Sequence, residues 1–358
     1  MLATGRVSNH LTTVLREAIA SGRFAAGEYL PTVRELSREH GLAIRTVQRA
    51  LGSLEAAGLV AAEPRRGYRV LARANDPERS LPLAYILGSD DPPARWDEMH
   101  MQLSAGLQAA AAKHGWSLLA VAAGAEARVP AVMGKLRAAR ACGVVLDTLD
   151  SEMVAAATRI GLPAVMIDAW MEDLTVDAVL QDNYRGGFLA AQHLLQRGHR
   201  ELCWFGNLSE SAHARERFAG ASAALIDAGA RMSRVVATDR QGMDAAAHAL
   251  LERADRPRAV LALWRDIALS LARAAQAHGL VLGTDLDLVG WSIEELYEPA
   301  YVAHLPQGFA APAICWSAMT MAETALQRLV DLRQRPGTAC LRQLVPVRLR
   351  TRQPGNGV

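Results

Sequence analysis

The chain has 358 residues, 51% apolar and 21% charged, with a net charge of only +2. That profile belongs to a globular protein of two or three domains and excludes a disordered or fibrous one. No apolar run approaches the ~20 residues that span a bilayer, and Met1-Leu2-Ala3-Thr4-Gly5-Arg6 lacks the apolar core of a signal peptide. A cytoplasmic protein with no membrane partner is therefore expected. Cys142, Cys203, Cys315 and Cys340 form no CxxC pair, so buried free thiols are expected, with no metal site and no cofactor. The charge is uneven: residues 1–80 hold twelve arginines against eight carboxylates, a net of +4, and the remainder carries −2. A basic segment ahead of a near-neutral body is the pattern of a nucleic-acid module on a different domain.

In chain order, Leu11, Val14, Leu15, Ala18 and Ile19 recur at helical spacing, with Gly22 as a stop. Thr32 can cap a second helix that opens at Pro31, and Glu35, three residues on, can reach back to it. That helix ends near Gly41. A third helix is predicted over 44–57, ended by Gly58. At about 100° per residue its Val47, Ala50, Leu51 and Leu54 share one face, and Arg45, Gln48, Arg49 and Gly52 the other. A stripe of Arg and Gln suits base edges and phosphates in a major groove, although a solvated helix face has the same composition. Residues 59–62 and 68–71 read as two strands joined by the turn Glu63-Pro64-Arg65-Arg66-Gly67, a β-wing with a basic tip. A tip of this kind suits phosphate or minor-groove contact.

These segments resemble the GntR family of winged-helix regulators. The resemblance runs from about Leu11 to Leu71. It rests on Gly27-Glu28-Tyr29-Leu30-Pro31-Thr32-Val33-Arg34-Glu35-Leu36, Arg45-Thr46-Val47-Gln48-Arg49-Ala50-Leu51, Leu54-Glu55-Ala56-Ala57-Gly58-Leu59-Val60 and the tip Arg66-Gly67. It implies double-stranded DNA as partner, with Arg34, Arg45, Thr46, Gln48 and Gly67 where the family touches it. Arg49, Arg65 and Arg66 join them from the helix and wing reading. The family often has Ser-Arg-Thr-Thr where this chain has Ala43-Ile44-Arg45-Thr46, and Arg where Gln48 stands, so no operator sequence carries over.

Residues 1–72 form the head in this reading. A polar, Pro-containing stretch follows (Ala-Arg-Ala-Asn-Asp-Pro-Glu-Arg-Ser-Leu-Pro, from Ala72), which makes 73–82 a linker. Strands are predicted at 83–87, 117–122, 143–147, 164–168, 201–205, 234–238, 259–263 and 286–290. Amphipathic helical stretches lie between most of them, for example at 97–114, 184–198 and 267–279. This alternation implies an α/β body with parallel sheets in two lobes. In such sheets ligands bind beyond the carboxyl ends of the strands, and here that means a cleft. Expected bounds are 83–178 with 307–335 for lobe 1, and 179–306 with 336–358 for lobe 2.

The body resembles the LacI/GalR effector domain, which is built like a periplasmic sugar-binding protein. The anchors are Asp182-Asn183-Tyr184-Arg185-Gly186-Gly187, His193-Leu194-Leu195, Arg197-Gly198-His199-Arg200, Arg215-Glu216-Arg217-Phe218-Ala219-Gly220 and Pro163-Ala164-Val165-Met166-Ile167-Asp168. Joined to the head, it resembles the arabinose-repressor type of regulator. The resemblance implies a homodimeric, allosterically controlled repressor, with Asp168 and Arg217 as ligand contacts and His100 and His213 near effector-contacting positions. Trp96, Trp170, Trp264 and Trp291 lie after strands or in strand-end loops, where an indole can stack on a ring. Two departures matter. Trp264-Arg265 stands where the family usually has Asn-Asp, and Gly290-Trp291-Ser292 where it has Gly-Tyr-Asp. A new arginine and a lost aspartate predict a more cationic cleft. The expected effector is thus a sugar, a sugar acid or another small polar or aromatic metabolite, with anionic or aromatic molecules favoured over a plain neutral sugar. A Rossmann-like enzyme and a free solute-binding protein are the competing classes. No G-x-G-x-x-G after the first strand, P-loop, H-E-x-x-H or G-x-S-x-G supports an enzyme, and the basic head argues against the second.

Overall fold

The structure is a computed structural model. It describes residues 11–15, 18–19, 23–24, 27–56, 59–64, 66–71, 81–124, 129–171, 173–209, 211–236 and 240–352. Arg65 and almost all of the expected linker fall outside these residues. The chain divides into a small unit, chiefly the residues up to Pro82, and a large one.

In the small unit, residues 11–15 and 18–19 are helical, followed by the helices Val33–Glu39 and Ile44–Ala56. Strands β1 (Val60–Glu63) and β2 (Gly67–Val70) pair antiparallel. The capping box expected at the second helix is present in both directions: Glu35 N donates to Thr32 Oγ1 and Thr32 N donates to Glu35 Oε2. Two of the orphan amides of that helix end are thereby satisfied. The apolar face read from helix 44–56 is the one that packs: Val47, Ala50, Leu51 and Leu54 are fully buried against Leu11, Leu15, Ile19, Leu36, Val60 and Val70. Residues 27–30 add a short pairing to β2 through Gly27 N to Val70 O and Leu30 N to Tyr68 O.

The large unit holds two six-stranded sheets. The first, lobe 1, runs β13 (Arg342–Val345), β7 (Asp177–Gln181), β6 (Ala164–Ile167), β5 (Gly143–Asp147), β3 (Leu81–Leu87), β4 (Trp116–Ala122). The second, lobe 2, runs β14 (Arg348–Arg350), β12 (Ala313–Trp316), β11 (Asp287–Ile293), β10 (Ala259–Ala262), β8 (Glu201–Phe205), β9 (Arg231–Val235). The neighbours β5 and β6, β6 and β7, β8 and β10, and β10 and β11 are parallel, and edge strand β14 is antiparallel. Central strands such as β5, β6 and β10 are buried along their whole length, which is why they read as continuous apolar runs.

The chain passes between the sheets three times: after β7, after β12 and after β13. The expected lobe bounds differ here. Residues 313–316 pair into lobe 2, and 342–345 into lobe 1. Helix Ala318–Gln334 packs on lobe 1. A buried ion pair secures it there, Arg328 Nε to Asp177 Oδ1 at 2.6 Å, and the same carboxylate accepts from Leu341 N. Strand β9 lies three residues earlier than expected. It is an edge strand with no buried position, so no period marks it.

Candidate nucleic-acid interface and ligand cleft

Burying one face of helix Ile44–Ala56 leaves the other to solvent. Arg45, Gln48 and Arg49 are exposed, as is Arg34 on the preceding helix. Thr46 differs: it is only 5% exposed, because its position turns it toward the apolar side, and its amide donates to Ala43 O. Gly52 has open space where a Cβ would stand. At the wing, Gly67 adopts φ +107, a conformation that favours glycine, and its surroundings are also open. The Arg66 side chain is 73% exposed and its guanidinium lies 5.9 Å from the centre of the Tyr29 ring. Glu63 anchors the wing base by accepting from Tyr29 and Arg69, and these two bonds hold its carboxyl below the usual range. Exposed arginine and glutamine on one helix face, with an arginine on an adjacent wing, can pair with phosphates and base edges.

Between the lobes lies a cavity of about 570 Å³, into which both sheets direct their carboxyl ends. It collects Asp168, Arg217, Trp264, Arg265, Trp291, Ser292, His100 and His213, eight of the ten residues expected there. The other two point elsewhere. Trp96 is 5% exposed, stacks edge-on against Tyr85 and donates to Asp91 O. Trp170 packs on the lobe 1 core under the Arg342 guanidinium, 3.9 Å from its ring centre. In both, the large apolar ring goes to packing.

The cleft also recruits groups the sequence reading passed over. Asp97, Asp147, Thr148, Gln181, Asp266 and Trp316 line it. Asp147 closes β5 as Asp168 follows β6, so a single pattern, an apolar run ending on aspartate, marks both. Thr148 and Asp168 adopt left-handed φ of 51° and 49°. For non-glycine residues this stores strain of order 1 kcal/mol or more, and such strain concentrates at functional sites. Asp147 Oδ2 accepts from Tyr85 Oη at 2.6 Å and Oδ1 from Thr148 Oγ1 at 2.9 Å. Asp168 Oδ1 accepts from Gln181 Nε2, whose Oε1 accepts from Trp291 Nε1. His213 Nε2 stands 3.4 Å from Asp168 Oδ1 without hydrogen-bond geometry.

Arg217 sits at the centre of lobe 2's wall. It is 1% exposed and clamped between indoles, 3.7 Å from the Trp291 ring centre and 4.3 Å from that of Trp264. Its Nε donates to Asn183 Oδ1 and its Nη1 to Leu263 O, while Nη2 has no partner. Burial lowers its pKa to about 9, which still leaves it charged at neutral pH. Burial pushes the Asp147 carboxyl up, and the charge of Asp168 adds to this against the pull of His100, Tyr85 and Thr148. Burial works against protonation of His100, but Asp97, Asp147 and Asp168 outweigh it and hold the imidazole above its ordinary value.

The expected cationic cleft is not what these contacts produce. Arg265 is bound to Glu98 at 3.1 Å across the cleft and to Asp266 at 3.4 Å. Four aspartates, Asp97, Asp147, Asp168 and Asp266, face the two arginines. The second carboxylate that the chain lacks at Ser292 is more than replaced on the opposite wall. Ser292 itself is buried and donates to Ile293 O. Among the described residues no cluster of three or more His, Cys, Asp or Glu could hold a metal ion, and no helix is long and apolar enough to cross a membrane.

Comparison with known proteins agrees with this division. The family described as periplasmic binding proteins and sugar binding domain of LacI family matches residues 82–298, more than half of the chain. The family described as bacterial regulatory proteins, gntR family, matches residues 8–70. The ribose operon repressor of Haemophilus influenzae is 30% identical over 202 residues, covering 54% of this chain and 60% of that protein. The chain thus spans about three fifths of that relative's length. Two solved structures share the fold. A complex of the transcriptional regulator CelR with cellobiose covers 91% of this chain and all of its own, at 20% identity and TM-score 0.65. The lac repressor dimer bound to operator and the anti-inducer ONPF covers 76% of this chain and 93% of its own, at 23% identity and TM-score 0.62.

Proposed function

Because the chain belongs to the family of periplasmic binding proteins and LacI-type sugar-binding domains and carries a GntR-type head, we propose that it is a DNA-binding transcription repressor. A small molecule held between its two lobes sets its affinity for the operator. The observation that carries this reading is the pairing, in one chain, of the exposed row Arg45, Gln48 and Arg49 with an interlobe cleft lined by charged and aromatic side chains. A solute-binding protein has no use for the first. Winged-helix heads read a pseudo-palindrome as pairs, and the lac repressor structure is a dimer on its operator, so the working unit is a cytoplasmic homodimer.

Coupling follows from differential affinity. An effector shifts operator binding only as far as it prefers one lobe arrangement over the other. The Glu98–Arg265 pair bridges the two lobes and marks a contact that such a change alters. Repression is favoured because the ribose relative is named a repressor. The test is a division of labour between two sets of variants in the full-length chain. Arg45→Ala with Arg49→Ala should abolish a mobility shift on the DNA upstream of the chain's own gene and leave binding in the cleft intact. Asp168→Asn should weaken cleft binding and leave the shift in ligand-free buffer. Loss of both activities in either variant contradicts the assignment.

A further inference from the structure

The cleft's two walls carry charged groups whose direct hydrogen bonds are made with neutral partners. On lobe 1, both oxygens of Asp147 accept only from the neutral hydroxyls of Tyr85 and Thr148. Asp168 accepts from a neutral amide, that of Gln181. Among the described residues the basic side chains within 4 Å are histidines, His100 Nε2 at 3.8 Å from Asp147 and His213 Nε2 at 3.4 Å from Asp168; at longer range Asp168 and Arg217 attract each other. Among the described residues no lysine or arginine comes within 4 Å of either carboxylate, and Arg265 is held by Glu98 and Asp266. On lobe 2 the situation is mirrored. The Arg217 guanidinium lines the cavity, is 1% exposed and donates to a carboxamide and a backbone carbonyl, with Nη2 buried and without a hydrogen-bond partner. A buried charge without a counter-charge is costly, and a buried donor without an acceptor forfeits its full desolvation energy.

We propose that the effector is a small molecule carrying a protonated amine together with an oxygen acceptor: the amine faces Asp147 and Asp168, and the acceptor takes the Nη2 hydrogen of Arg217. This inference rests on the reading of the cleft as an effector site. A neutral polyol offers the carboxylates only further hydroxyl donors and brings them no positive charge. A sugar acid meets Arg217 but brings its negative charge beside Asp147 and Asp168. An aminated molecule addresses both walls at once, and the apolar lining residues Ile267, Ile293, Leu296 and Trp316 give its ring or carbon skeleton an apolar bed. Two sources share this chemistry, an amino sugar and a free α-amino acid.

The test uses the full-length chain, tryptophan fluorescence and thermal shift, and compounds matched on one frame. D-glucosamine, D-glucose and D-gluconate form one series, extended to the other common hexosamines. The α-amino acids, each against its des-amino carboxylic acid, form the second. At least one amine should bind, and roughly tenfold or more tighter than its unaminated partner. Asp168→Asn should remove that preference. Asp147→Asn is the second variant should the first fail to fold, and circular dichroism reports which variants fold. Binding in the first series identifies an amino sugar, in the second an amino acid. A neutral or anionic member that binds more tightly than its amine overturns the proposal, as does an amine whose binding ignores both substitutions, or no binding by any amine in either series. A mobility shift on the same preparation separates the two levels. DNA binding without amine binding sinks only this inference, and amine binding without DNA binding sinks only the regulator.

Discussion

The body's central crossing is made by two helices that touch backbone to backbone, and one methyl group should part them. Helices Asn183–Gln196 and Ala212–Ala228 meet at Gly187 and Gly220. A Cβ on Gly187 would lie 1.9 Å from Arg217 O, and one on Gly220 would lie 1.9 Å from Tyr184 O. Ordinary contact begins near 3.4 Å, so Gly187→Ala requires a retreat of roughly 1.5 Å. Neither partner is a flexible side-chain tip. The retreat also strains the 2.8 Å bonds from Arg217 to Asn183 and Leu263 O. Overpacking alone costs about 1–3 kcal/mol, and weakened bonds from a charged donor add to it, so a loss of about 3 kcal/mol is expected. For a body of this size that corresponds to a melting temperature lower by roughly 6–12 °C. Urea and thermal denaturation would measure it. Because the helix that would be pushed away, Ala212–Ala228, carries His213 and Arg217, ligand affinity should fall as well. A Gly187→Ala protein within about 0.5 kcal/mol of the parent would refute the close-crossing argument.

Three further outcomes are expected. His100 is held above its ordinary pKa, so its pairing with Asp97 (2.8 Å) contributes stability fully below pH 6.5. That contribution is lost as pH rises through the raised value. The melting temperature of His100→Asn should therefore lag the parent most on the acid side and converge with it in alkaline buffer; a gap that ignores pH would contradict this. Glu98→Gln cuts the bridge to Arg265, a half-exposed pair, so effector affinity should drop by no more than about 1 kcal/mol, roughly fivefold; titration calorimetry that finds a hundredfold loss would show the bridge to be essential. Thr32→Ala removes a capping box and should cost the head about 0.5–2 kcal/mol in chemical denaturation; an unchanged midpoint would contradict the cap's role.

What the sequence made legible followed periodicity and caps. The helix 44–56 face, the Thr32 cap and the buried strands announce themselves because burial imposes a period or an unbroken apolar run. Where burial is partial, as at β9 and β14, no signal exists. Strand β7 escaped for another reason: its apolar run, Ala178-Val179-Leu180, is too short to separate from a loop, and its flanking Asp177 and Gln181 are buried only because Arg328 and Asp168 receive them. The cleft shows the same limit. Positions at strand ends were legible, and eight of ten expected residues line the cavity. Its charge was not, because that depends on partners distant in sequence, such as Glu98 against Arg265, 167 residues apart. Trp96 and Trp170 had the right location in the chain and the wrong direction in space.

The most direct test of the regulator itself is selection of bound fragments from a random double-stranded DNA pool by the full-length protein at physiological salt. A paired winged-helix repressor should enrich a two-fold symmetric site and bind it with a dissociation constant on the order of 10⁻⁸ M or tighter. Arg45→Ala with Arg49→Ala should abolish the enrichment. Failure of the parent protein to enrich any sequence, or equal enrichment by the double variant, would contradict the assignment of this chain as a DNA-reading repressor.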